Sequence, residues 1–264
     1  RDGWALVPLG DDDAVRVVDL HTLSATLLIP LPAGSGATGS AIVDDSIGYV
    51  ANPNLNSVTR VNYQTGATSS VAVGVYPQSV IFTRGKVFVL NGNLVNSVPA
   101  GPSWVSIVDP LTNHLANGVD SVLMPGPGNA AFAAVAQDGL LYVMNRGPFD
   151  SMTAGRLTLV DPVGRAELAN FGGFGNFPGE VTVNGAADLL YISSASEGLM
   201  LFDVVDRKVL RGAGNGVTIP ENTGVAVDSR GLVYALESGS CSGGTAGKLH
   251  ILRSHLSEIR TVAV

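Results

Sequence analysis

Residues 49–62, YVANPNLNSVTRVN, contain a two-strand pattern that returns along the whole chain. A short strand that begins with an aromatic residue precedes a second strand that ends, in five of six copies, in Asp or Asn. The aromatic positions are Trp4, Tyr49, Phe88, Tyr142, Tyr191 and Tyr234, so one copy spans 39 to 54 residues. Asp and Asn side chains accept bonds from nearby backbone N–H groups and thus favour a tight turn after each second strand. The chain therefore repeats one supersecondary unit six times.

Short segments rich in Ala, Ser, Gly and Val precede five of the aromatic strands. These segments are residues 40–43, 79–82, 131–134, 180–183 and 224–227. Together with an outer strand they give four short strands per repeat, which is typical of a β-propeller blade. No stretch has a sustained helical period, so helices should be few and short. We predict an all-β protein, a six-bladed β-propeller of four-stranded antiparallel blades, with residues 1–264 forming a single domain.

The first blade is predicted to lack its inner strand, because the chain opens directly on the aromatic strand at Trp4. Its last residues, 261–264, align with outer strands, so they do not supply the missing one. A bare inner edge would leave backbone groups without partners. We expect residues upstream of Arg1, or another segment, to fill this gap.

The composition excludes several classes of function. The 264 residues include 15 basic and 22 acidic ones, a net charge of −7 that disfavours nucleic acid as a partner. The apolar runs, such as 130–136, are far shorter than the roughly 20 residues of a membrane-spanning helix. Only 14% of residues are charged, against about 25% in typical proteins, which favours a periplasmic or extracellular protein or a subunit inside an assembly. The one cysteine, Cys241, excludes a disulfide framework within the chain.

Two segments, VSIVDPLT (105–112) and GVAVDSRGLVY (224–234), resemble the YVTN and NHL-type β-propeller repeats, and the resemblance extends over nearly the whole chain. It implies blade architecture. The superfamily includes lactonases, lyases and binding modules, so the resemblance leaves the activity open. The fifth repeat departs from the pattern with Ser193 and Ser194 in place of Ala-Asn, and the sixth has Arg253 in place of Asp.

The resemblance also suggests a divalent cation, because related hydrolases hold one at the axial mouth through Glu, Asn and Asp oxygens. The corresponding residues are Glu180, Asn52, Asn91 and Asn145, which would bind Ca²⁺ or Mg²⁺. The alternative is that each asparagine caps its own loop, and a single carboxylate with neutral amides binds a cation weakly. None of the four histidines maps to the mouth, so a general base would have to be Glu180 alone. We therefore expect no enzymatic activity and no cofactor.

Apolar side chains concentrate in long loops that we expect on one face of blades three to five. They are Phe171, Phe174 and Phe177, then Leu94, Val95 and Val98, and finally Phe149 and Met152. Such a cluster is typical of an interaction site. The alternative is that these loops fold over one another and plug the axial channel. Replacing Phe174 and Phe177 with Ser is predicted to weaken association and leave the melting behaviour nearly unchanged.

The sequence thus predicts a non-catalytic, extracytoplasmic propeller that binds a protein partner or acts as a scaffold. Its low charge suggests a peripheral subunit of a larger membrane-associated complex, of the respiratory or photosynthetic kind. Two alternatives stay open. One is a divalent-metal-dependent lactonase or related hydrolase, and the other is a small-ligand or glycan binder at the axial pocket.

Overall fold

The structure, a computed structural model, describes residues 3–149, 155–240 and 244–264. Contacts between backbone positions divide the chain into two compact units. Unit 1 comprises Arg1–Met124 together with Val163–Arg165, and unit 2 comprises Pro125–Pro162 together with Ala166–Val264. Each unit contains three blades. The prediction that residues 1–264 form one domain stays a prediction.

The protein is an all-β, six-bladed β-propeller built from small antiparallel sheets, as the repeat predicts. Within the described residues there is no α-helix, and the one helical turn is a 3₁₀ turn at Pro53–Leu55. The aromatic strand and the strand after it are neighbours in every blade, and their residues alternate between the two faces of the sheet.

In unit 1, the first blade contains three strands, the second four, and the third a four-strand path with a divided outer strand and a small separate hairpin. The strands of blade 1 are β1 (Trp4–Leu9), β2 (Ala14–Asp19) and β3 (Ser24–Pro30). Those of blade 2 are β4 (Ser40–Ile42), β5 (Ile47–Asn52), β6 (Ser57–Asn62) and β7 (Thr68–Ala72). Those of blade 3 are β8 (Pro77–Thr83), β9 (Lys86–Asn91), the hairpin β10 (Leu94–Val95) and β11 (Val98–Pro99), then β12 (Trp104–Asp109), β13 (His114–Leu115) and β14 (Ser121–Leu123).

In unit 2, all three blades are four-stranded meanders in chain order. The strands of blade 4 are β15 (Ala130–Val135), β16 (Leu141–Asn145), β17 (Arg156–Asp161) and β18 (Ala166–Phe171). Those of blade 5 are β19 (Val181–Val183), β20 (Leu189–Ser194), β21 (Gly198–Asp203) and β22 (Lys208–Arg211). Those of blade 6 are β23 (Asn222–Val227), β24 (Val233–Glu237), β25 (Lys248–Leu252) and β26 (Glu258–Ala263).

The three-stranded first blade confirms the strand count made from the sequence. Strand β1 pairs with β2 on one side, and within the described residues no strand pairs with its other side. One backbone acceptor on that open side is used, because the Ser40 hydroxyl donates to the carbonyl of Leu6 at 2.8 Å. Pro8 in the same strand has no N–H group, and proline is found in sheets mainly on such edges.

The turns after the second strands form as predicted, around an Asp or Asn side chain. The Asn62 carboxamide oxygen accepts from the backbone N–H groups of Gln64 at 3.0 Å and Thr65 at 2.9 Å. Asp19, Asp109 and Asp203 accept backbone N–H groups in the same way. Each side chain replaces ladder bonds that end at the turn, which explains why the pattern ends in these residue types.

A tyrosine of the repeat joins one blade to the next within each unit. The Tyr49 ring is fully buried, and its hydroxyl donates to the side-chain oxygen of Asn113 in blade 3 at 2.8 Å. Tyr191 is equally buried and donates to the carbonyl of Ser254 in blade 6 at 2.8 Å. Burial raises the pKa of both phenols to about 12. In blades 2 and 5 the leading aromatic is therefore a core residue whose polar end is satisfied by the following blade.

Candidate functional site

The asparagines that end three aromatic strands tie each strand to its neighbour in the same sheet. The Asn52 side-chain N–H donates to the Thr59 hydroxyl at 2.8 Å, and Asn91 donates to the Ser106 hydroxyl at 2.9 Å. Asn145 makes the same bond to Thr158 at 3.1 Å. All three asparagines are buried. The alternative prediction was that each asparagine caps its own loop. The bonds are local, as that alternative requires, but they run to the next strand of the sheet and not to a loop.

The cation hypothesis for these asparagines and Glu180 stays a prediction. The side-chain N–H groups of Asn52 and Asn91 donate within their own sheets, whereas their buried side-chain oxygens have no hydrogen-bond partner among the described residues. Among the residues that the structure describes, no three of His, Cys, Asp and Glu lie together in a way that would hold a metal ion.

Glu180 lies just before β19 and is occupied by backbone contacts. Its carboxylate accepts the N–H of Val225 in blade 6 at 3.2 Å, and its own N–H donates to the Ser193 hydroxyl at 2.8 Å. Ser193, one of the departures from the repeat, thus has a structural reason. The residue keeps contact with solvent, yet the surrounding protein desolvates the carboxyl group and raises its pKa. Glu180 therefore links two neighbouring blades.

Blade 6 carries a Glu–His pair at the position of the Asn–hydroxyl pair. Glu237 ends its aromatic strand as Asn52, Asn91 and Asn145 end theirs, and His250 stands where the hydroxyl residue stands. The His250 Nε2 atom lies 2.8 Å from a Glu237 carboxylate oxygen, and its Nδ1 atom lies 3.1 Å from Glu258. Glu237 and His250 are both only 8% exposed.

The polar side chains of this blade 6 cluster, Glu237, Lys248, His250 and Glu258, bond to one another. Lys248 donates to Glu237 at 2.6 Å, and its ammonium group and His250 lower the pKa of the Glu237 carboxyl. Bonds from Thr261 and His250 lower the pKa of Glu258. Both ring nitrogens of His250 have partners, so the imidazole has no free atom to act on a substrate. Sequence reasoning missed this cluster, although a residue-by-residue alignment of the repeats would have found Glu and His in place of Asn and Thr.

The predicted apolar surface separates into core residues and exposed ones. Phe174 is fully buried, and its ring centroid lies 6.4 Å from that of Phe202 in blade 5. Phe171 is the last residue of β18, partly buried, and packs edge-on against Phe202 at 5.2 Å. The expected exposure of these two rings is not found, because they complete an aromatic cluster between blades 4 and 5 of unit 2.

Phe149 and Phe177, here called the aromatic pair, lie outside the sheets. Their ring centroids are 5.1 Å apart in a T-shaped arrangement, and Phe149 is 75% exposed. The Arg146 guanidinium carbon lies 3.4 Å from the centroid of the Phe177 ring. The Arg146 Nε–H donates to the carbonyl of Pro178 at 2.9 Å, so the arginine fixes the loop that carries Phe177. Arg146, which follows the repeat asparagine directly, was not among the predicted site residues.

A cavity of about 250 Å³ adjoins the aromatic pair. It is lined by Phe149, Asn176, Phe177, Ala195, Ser196 and Glu221. The Asn176 side-chain oxygen is buried and accepts no hydrogen bond from the described residues. The lining thus combines two aromatic rings with the polar side chains of Asn176, Ser196 and Glu221.

The remaining predicted residues lie in unit 1 or outside the described residues. Leu94, Val95 and Val98 form the hairpin β10–β11, in which Val95 and Val98 are exposed and Leu94 is partly buried. Met152 and Cys241 lie outside the described residues. In the part of the chain that the structure describes, no helix is long and apolar enough to cross a membrane.

Comparisons with known proteins identify the fold and no family. No protein-family model matches the sequence, and no curated protein matches it. Among solved structures, a chain of Kuenenia stuttgartiensis hydrazine synthase is similar, with a TM-score of 0.74 and 14% sequence identity. The match covers 96% of this chain and 74% of that chain. At this identity the likeness establishes the propeller architecture alone, and 1253 matching chains show how widely that architecture occurs.

Proposed function

We propose that the protein is a non-catalytic docking module that binds a protein partner through loops of its propeller. The observation that carries this proposal is the aromatic pair, in which an exposed Phe149 stands on a Phe177 that Arg146 holds in place. Large apolar rings exposed on rigid loops are typical anchors of protein interfaces, where a few central residues carry most of the binding energy.

The hairpin β10–β11 of unit 1 supports the same interpretation. It is separate from the blade sheets and exposes Val95 and Val98 on a two-residue strand pair. An isolated hairpin of this length has little stability of its own, so exposed valines there bury apolar surface only against something else.

The setting that we propose is extracytoplasmic, with the protein as a peripheral subunit of a membrane-associated complex of the respiratory or photosynthetic kind. The low charge content supports this setting, as does the resemblance of the repeats to the YVTN and NHL types. The similar chain comes from a protein named hydrazine synthase, so a propeller of this size occurs in a protein named for a catalytic activity.

The test is capture of a partner from solubilised membranes of the source organism, with the full chain as bait. Phe149→Ser should lose the captured protein, because it removes the exposed ring and leaves the sheets intact. Leu111→Ser is the matched control, since Leu111 is 92% exposed in a turn of unit 1 and should not affect capture. A partner that binds wild type and Phe149→Ser equally would overturn the proposal.

A further inference from the structure

The side chain of Arg146 is fixed on three sides. Its Nε–H donates to the carbonyl of Pro178, one face of its guanidinium lies 3.4 Å from the centre of the Phe177 ring, and the Phe132 ring lies 5.5 Å away. The backbone is fixed as well, because the Arg146 N–H donates to the carbonyl of Asn129 at 2.9 Å. A guanidinium held this way has lost its conformational freedom before any ligand arrives.

The charge of Arg146 has no counter-ion among the residues that the structure describes. Within the described residues no carboxylate oxygen lies within 4.0 Å of it, although the chain has 22 acidic residues against 15 basic ones. Burial alone lowers the pKa of the guanidinium to about 10, so the group remains a cation at neutral pH. A partly desolvated cation without an anion is energetically costly, and an anionic ligand would remove that cost.

The backbone is strained at Phe177, the residue whose ring lies against the Arg146 guanidinium. Phe177 has a φ of +48° and precedes Pro178, a combination that bulky residues adopt only where their surroundings enforce it. Such strain is concentrated at binding and switch sites. Here Arg146 supplies the enforcement, through its contact with the Phe177 ring and its bond to the Pro178 carbonyl.

We propose that Arg146 receives a carboxylate of the partner, an acidic side chain that binds next to the aromatic pair. The proposal rests on the docking function and identifies the chemistry of its partner. The two terminal nitrogens of Arg146 make no hydrogen bond within the described residues, and together they match the two oxygens of a carboxylate. The acidic side chain thus supplies charge while Phe149 supplies apolar contact.

The test follows the Arg146 Nε–H resonance by NMR while acetyl-glutamate-amide is added at constant ionic strength. We expect a saturable shift, no such shift with the neutral acetyl-glutamine-amide, and weaker binding of inorganic phosphate. Arg146→Lys keeps a cation over the Phe177 ring, so we expect the variant to fold normally. It loses the pair of terminal guanidinium nitrogens that would bind the two carboxylate oxygens. With this variant, followed through the Phe177 amide, binding should weaken at least about tenfold. Arg84→Lys, at an exposed turn between β8 and β9, is the control.

Three results would overturn the proposal. The first is the absence of a saturable shift with the carboxylate probe. The second is tighter binding of phosphate than of carboxylate, which would indicate a small-anion site. The third is a shift of the Arg146 resonance in Asp150→Asn without any probe, which would identify an intramolecular counter-ion. If capture of the partner depends on Phe149 and not on Arg146, docking stands and the carboxylate site fails. If the probe binds but capture of the partner does not depend on Phe149, the carboxylate site stands and the docking function fails.

Discussion

Replacing Phe174 with Ala tests whether the ring is a core residue or part of a docking surface. The ring is fully buried and lies against Phe202, which also contacts Phe171 and Tyr142 at centroid distances of 5.2 Å and 6.0 Å. Truncation of a buried Phe to Ala costs about 3–5 kcal/mol of folding free energy. For a chain of this size each kcal/mol lowers Tm by about 2–4 °C, so the expected loss is roughly 6–20 °C.

The measurement is unfolding in guanidinium chloride and by heat, followed by circular dichroism. Phe149→Ala is the matched control, because the same ring is removed from an exposed position and should change stability by no more than about 0.5 kcal/mol. The assignment of Phe174 to the core would be refuted by a Phe174→Ala protein as stable as wild type. It would also fail if Phe149→Ala were equally destabilising, since burial would then not explain the effect.

Three further predictions concern blade 6 and blade 5. Glu237→Asn removes the carboxylate charge and one of the two oxygens that Lys248 and His250 contact, so it should destabilise the protein. Adding His250→Thr should recover part of the loss, because it restores the neutral pair of the other blades. A double variant less stable than Glu237→Asn in thermal unfolding would contradict this. Bonds from Leu232, Arg230 and Tyr234 lower the pKa of Asp228 to about 2. Because the pKa of an unfolded Asp is about 3.9, the ionised carboxylate stabilises the folded protein above pH 4, and this contribution is lost as the pH falls towards 2. Asp228→Asn should therefore flatten the decline of Tm between pH 4 and pH 2, and an unchanged slope would count against the bond set. Gly198 has a φ of +78°, and a Cβ there would overlap the carbonyl oxygen of Val217, so Gly198→Ala should lower the unfolding free energy. Gly185→Ala is the control and should not lower it, because a Cβ at Gly185 would have no atom within 4 Å.

The blades could be predicted because each repeat carries its own local signals. The aromatic start and the Asp or Asn end are set by burial and by turn hydrogen bonds, and both operate within one blade or with its neighbour. The outer strand of blade 3 was not predictable in the same way. It divides into β13 and β14, because Ile107 bonds with residues at both ends of the intervening segment 116–120.

The site residues were less predictable because they depend on tertiary packing. Phe171, Phe174 and Phe177 are spaced evenly in a glycine-rich stretch, yet two of them pack on Phe202 and one faces outward with Phe149. The sequence does not distinguish these outcomes, since nothing local tells which ring meets blade 5. Arg146 was missed because its partners, Phe132 and Pro178, lie 14 and 32 residues away.

The tyrosine bonds between blades have a consequence for the order of folding. Tyr49 reaches a partner 64 residues later, and Tyr191 one 63 residues later. While the chain is being synthesised, blades 2 and 5 can therefore close their own hairpins but cannot satisfy these two buried phenols until the next blade has emerged. An unsatisfied buried hydroxyl costs about 1–3 kcal/mol. Blades 2 and 5 should thus remain loosely packed until blades 3 and 6 dock, whereas blade 4 need not wait, because Tyr142 donates to Asp138 within its own blade.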